Sequence, residues 1–79
     1  MPERRGSPRQ NVQLAARLAY GGISVDCTVR NISETGAAVQ VLDAKNVPNM
    51  ASLVISGKPG RQQVEVVWRT SDMIGLRFV

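Results

Sequence analysis

From Val12 onward, apolar residues recur at every second position, in short runs that each end in a turn signal. Val12, Leu14, Ala16, Leu18 and Tyr20 share one face, with Gln13 and Arg17 on the other. Gly21-Gly22 marks a hairpin turn. Ile23, Val25, Cys27 and Val29 then alternate with Ser24, Asp26, Thr28 and Arg30. Residues 31–36 read as a tight turn, in which Gly36 is expected to supply a backbone conformation closed to other residues. A third strand is expected over residues 37–42, a loop over 43–50 and a fourth strand over 51–56. After Gly57-Lys58-Pro59-Gly60, residues 62–69 form a fifth strand with Val64, Val66 and Trp68 on one face. Residues 73–79 form a last strand carrying Ile74, Leu76 and Phe78. No stretch has a sustained helical period.

Six short strands joined by turns predict an all-β fold, a small six-stranded antiparallel β-barrel. Closure removes exposed strand edges, which otherwise template aggregation. Two prolines, a glycine and three arginines in residues 1–10 predict a flexible arginine-bearing N-terminal arm, with the barrel over 11–79. A chain of 79 residues makes one domain with a thin core.

Composition excludes more functions than it suggests. There is no His, and the lone Cys27 shares a face with Ile23, Val25 and Val29, which predicts a core thiol and not a nucleophile. The six acids are scattered, and no phosphate-loop, dinucleotide or metal-ligand spacing is present. An enzyme is not expected, nor is a metal or cofactor. The one cysteine leaves no intrachain disulfide, the N-terminus lacks an apolar signal region, and Leu53-Val54-Ile55 is far too short to cross a bilayer. These features point to a cytoplasmic protein without membrane insertion, expected to be a monomer.

The formal net charge is +4, with Arg4, Arg5 and Arg9 concentrated at one end. Arginine clusters suit anionic partners, because guanidinium bonds phosphate and guanine in pairs and stacks on bases. Tyr20, Trp68 and Phe78 all fall on apolar faces by parity, so all three are expected in the core. That leaves no stacking face for an oligonucleotide, and no nucleic acid is expected as a partner.

Two elements remain: Arg5-Gly6-Ser7-Pro8-Arg9 on the arm, and Asn31-Ile32-Ser33-Glu34-Thr35-Gly36 after the second strand. Separated by a hairpin, they resemble in order and spacing the Arg-x-x-x-Arg and Asp/Asn-x-Ser-x-x-Gly motifs of the PilZ domain family. The resemblance continues through Val66-Val67-Trp68-Arg69 and Ile74-Gly75-Leu76-Arg77-Phe78, which look like that family's last two barrel strands. It implies a receptor for the bacterial second messenger cyclic di-GMP that relays its signal to a downstream protein effector. It further implies that Arg5 and Arg9 are ligand arginines, that Arg4 is an extra stacking or phosphate contact, and that Asn31, Ser33 and Gly36 complete the site. The alternative is a protein-interaction module of the same family that binds no nucleotide. Some members have lost binding, but they usually lack the arginines. For Asn31 and Ser33 the competing reading is plain turn chemistry, with their side chains capping backbone donors.

Overall fold

The computed structural model describes residues 10–79; residues 1–9, and with them Arg4, Arg5 and Arg9, lie outside the described residues. Six strands form in the expected order: β1 (Gln10–Tyr20), β2 (Ile23–Ile32), β3 (Gly36–Gln40), β4 (Met50–Ile55), β5 (Gln62–Arg69) and β6 (Met73–Phe78). They close into an antiparallel barrel in the order β1-β2-β3-β6-β5-β4, the last strand of this order pairing back onto β1. The inner face is packed with Leu18, Val29, Val39, Leu53, Val64 and Ile74, all fully buried. These are the period-two positions, so side-chain alternation sets which face of each strand looks inward.

Boundaries differ from the sequence reading at several places. Gln10, assigned to the arm, is the first residue of β1 and pairs with Ile32. β2 runs on to Ile32, so Asn31 is a strand residue and not a turn residue. β3 stops at Gln40, and Leu42, expected in it, is 98% exposed. Ile23 was placed inward by parity but is 55% exposed, because β3 does not extend alongside the hairpin end of β2.

Residues 43–50 do more than connect strands. A short 3₁₀ turn, Ala44–Asn46, lies between β3 and β4. Val41, Ala44 and Val47 are buried in the core, so this segment plugs one end of the barrel. Its carbonyl groups need partners there, and Arg69 supplies them. Arg69 pairs with the inward-facing Ile74, and its Nη1 donates to the carbonyl oxygens of Ala44 (2.8 Å) and Val47 (2.7 Å). Its Nη2 donates to Asn49 Oδ1 at 3.3 Å.

Three ladders carry one residue too many. Between β1 and β2, Asn11 pairs with Asn31 but Leu14 with Val29, so β1 has the extra residue there. Between β2 and β3, Val29 pairs with Val39 but Asn31 with Ala38, so Arg30 is the extra residue. Between β5 and β6, Val66 pairs with Leu76 but Trp68 with Gly75, so Val67 is extra. A bulge of this kind reverses the side-chain parity of everything beyond it.

Replacing Arg69 by Met keeps the stem and removes the donors to the plug. We expect a loss of roughly 1.5–3 kcal/mol, the usual contribution of hydrogen bonds from a charged donor, measured as a lower denaturation midpoint in urea at unchanged slope.

Candidate functional site

The start of β1 and the Asn-x-Ser-x-x-Gly motif meet at one end of the barrel because of strand register: Gln10 pairs with Ile32 and Asn11 with Asn31. Arg4, Arg5 and Arg9 lie outside the described residues.

Ile32 packs against the core cluster. The extra residue at Arg30 makes this compatible with Val29 also facing inward, and it turns Asn31 to the outer face. Without the bulge, Asn31 would share the inward parity of Val29. Ser33 opens the turn that follows. Its N–H donates to the Gly36 carbonyl at 2.8 Å, which accounts for the three-residue spacing between these two positions. The Ser33 hydroxyl accepts from the Thr35 N–H at 3.2 Å and lies 3.4 Å from the Gly36 carbonyl oxygen. Turn chemistry is thus present at Ser33. The same hydroxyl lies 3.2 Å from Thr35 Oγ1, so the turn itself engages it three times.

Gly36 is glycine for a different reason from the one expected. Its φ is not positive. A Cβ at this position would sit 2.1 Å from the Leu76 carbonyl oxygen. The residue is required by the close approach of β6, not by the conformation of the turn.

Trp68 corrects the expectation of a buried aromatic. The Val67 bulge puts it on the outer face, where it is 46% exposed. Its indole folds back over Gly75, where a Cβ would lie 2.1 Å from Nε1. Pairing carries one row across four ladders, from Asn11 to Asn31, Ala38, Gly75 and Trp68. The row has polar side chains at one end, an aromatic at the other and two small buried residues between, with the indole lying over Gly75. In the adjacent row Arg77 is ion-paired with Glu65. Tyr20 and Phe78, by contrast, pack against the core as expected.

On the inner side of the same turn, a mouth of about 350 Å³ opens between Ile32, Ser33, Phe78 and the β4–β5 turn, which contributes Lys58 and Arg61. Sequence reasoning missed Trp68, Lys58 and Arg61. The basic Lys58-Pro59-Gly60-Arg61 turn was visible in the sequence; the outward turn of Trp68 was not.

Cys27 is buried at 7% exposure, and burial first, with the neighbouring Asp26 charge second, pushes its thiol up to about 11. It stays protonated at neutral pH, the opposite of what a nucleophile needs. Among the described residues, no three His, Cys, Asp or Glu side chains gather as a metal site would require, and no helix is long and apolar enough to cross a membrane.

A family model described as PilZ domain matches residues 3–79. No match was found among curated proteins.

The seat of Trp68 on Gly75 yields a test of its own. Gly75→Ala would drive the indole off its seat. We expect Trp68 emission to shift to the red in the variant while the far-ultraviolet circular dichroism stays that of the native barrel. An unchanged emission maximum would refute the stacked geometry.

Proposed function

The chain belongs to the PilZ domain family, and on that premise we propose that it is a receptor for cyclic di-GMP, with the arginine arm and the Asn31–Gly36 segment as the two halves of its site. Receiving this second messenger is the general role of the family. The observation that supports the reading is the β1–β2 register, which pairs Gln10 and Asn11, the first described residues after the arginine motif, with Ile32 and Asn31.

The chemistry of each part fits the ligand. Cyclic di-GMP offers two phosphates and two guanines. Arg5 and Arg9 present forked donors that match phosphate oxygens and the paired O6 and N7 acceptors of guanine. Arg4 adds a third guanidinium for stacking or a phosphate. Asn31 has both a donor and an acceptor for a base edge, and Ser33 contributes its hydroxyl. Gly36 keeps the turn tight against β6 and adds no side chain beside the ligand. Trp68, seated over Gly75 and 46% exposed, offers an apolar ring at the end of the Asn31 row.

In this reading the ligand links the two halves. Charge-assisted bonds from the arm hold it from above while the rigid sheet supplies the floor. The output is the changed surface of arm plus ligand, presented to a downstream protein in the cytoplasm. No catalytic step is involved, and no cofactor beyond the ligand itself is needed.

Calorimetric titration with cyclic di-GMP tests the proposal. We expect Arg5→Ala and Arg9→Ala each to weaken binding by about tenfold to a hundredfold, the equivalent of one charge-assisted contact. Asn31→Ala and Ser33→Ala should weaken it by a smaller factor while the fold stays intact. Affinity for cyclic di-GMP no better than for GMP would sink the proposal and favour the interaction-module reading.

A further inference from the structure

The barrel is closed, yet among the described residues the hairpin end of β2 has no second strand beside it. β1 and β2 join through Gly21-Gly22, whose φ values of 56° and 81° give the two-residue turn that suits strand twist. In such a hairpin the residues flanking the turn, Tyr20 and Ile23, form a hydrogen-bonded pair, and pairs alternate from there. Val25 and Cys27 therefore bond to β1. Ser24, Asp26 and Thr28 aim their main-chain groups to the other side. Thr28 meets Gln40, the last residue of β3. Beyond it the chain turns away, and the Val41 N–H donates to the Asp72 carbonyl at 2.9 Å.

Ser24 and Asp26 thus face no strand. Past the end of β3 lies a groove of about 380 Å³ lined by Asp26, Cys27, Thr28, Gln40, Val41 and Leu42. Leu42 stands at its side, 98% exposed, and Ile23 is 55% exposed on the face of β2 that no strand covers. A strand edge with unpaired donors and acceptors, an open groove in line with β3 and two bare apolar side chains together describe a seat for one more strand.

We propose that the Ile23–Cys27 edge of β2 docks an extended segment of a partner protein, antiparallel to β2 and in line with β3. The chemistry of that segment follows from the positions it meets. Side chains turned to the Ile23 and Val25 face need to be apolar. Those on the outer face stand next to Asp26 in a row that already runs Val54, Arg17, Asp26. Arg17 pairs with Asp26 at 3.3 Å, and a cation on the incoming strand continues the alternation of charge. The partner segment is therefore a short alternation of apolar and basic residues. A second copy of this chain fits less well, because its own free edge carries Asp26 and would set like charges close together.

A blocked hexapeptide of alternating Val and Lys is a direct probe, titrated into the isotope-labelled chain and followed by amide shifts and exchange. We expect shifts and slowed exchange concentrated at the Ser24 and Asp26 amides, with Leu42 moving as well. Asp26→Lys should weaken the Val–Lys peptide by about threefold to tenfold and let a Val–Glu peptide bind better instead. Absence of any effect at Ser24 and Asp26 would overturn the proposal. So would an equal effect from a peptide with central prolines, which lacks the donors a strand needs. A concentration-dependent dimer of the chain alone that protects the same two amides would give the edge to a second copy and overturn it too. None of these readouts involves nucleotide binding, so failure here leaves the receptor reading untouched.

Discussion

The ladder between β3 and β6 is the constraint on which the outer face depends. It runs in unbroken register from Gly36–Arg77 to Gln40–Met73, and it joins the strands that precede the barrel plug to those that follow it. Small residues occupy it: Gly36, Ala37, Ala38 and Gly75. At Gly36 the two backbones come so close that only a hydrogen fits. On each side the neighbouring strand is one residue too long, at Arg30 and at Val67. Bulges bend and twist the strand that carries them. The straight ladder lies between two bulged neighbours, and the same bulges turn Asn31 and Trp68 outward on either side of it, with the indole covering Gly75.

Alternation in the sequence was enough to read the barrel, its strand count and most of its core, because a half-buried strand must alternate. It failed where parity was broken without a trace in the pattern. The extra residue Val67 is itself apolar, so Val66-Val67-Trp68 reads as well with Trp68 inside as outside. Ile23 follows the inward parity but stands where the covering strand has already ended, a fact of strand length rather than of pattern. The plug residues Val41, Ala44 and Val47 were read as strand end and loop, since one short 3₁₀ turn is too brief to show a period. Gly36 was recognised as necessary and given the wrong cause, because the atom that requires it belongs to Leu76, forty residues away in the chain.

The candidate site divides in the same way. A hairpin returns the chain to the level at which it began, so the order of the elements alone predicts that the start of β1 and the end of β2 lie together. The register pairs Gln10 with Ile32 and Asn11 with Asn31 at one end of the barrel. Asn31 and Ser33 turned out to differ in kind: one is a strand residue on the outer face, the other the first residue of a turn that uses its hydroxyl. Trp68 entered from the opposite side of the sheet, brought there by a ladder that no local pattern could reveal.

The packing of the barrel decides where a ligand of this size can be held. Leu18, Leu53, Val64 and Ile74 fill the interior, and the plug with Arg69 closes one end. A small barrel of this kind has no lumen for a dinucleotide. Under the proposed function, binding then takes place on the outer surface or at the mouth beside Ser33. An outer surface gives little enclosure, and enclosure is what most small-molecule sites rely on. The proposal therefore leans on charge: Arg4, Arg5 and Arg9 carry cations rather than apolar groups, and what they contribute depends on the phosphates and guanines of the ligand.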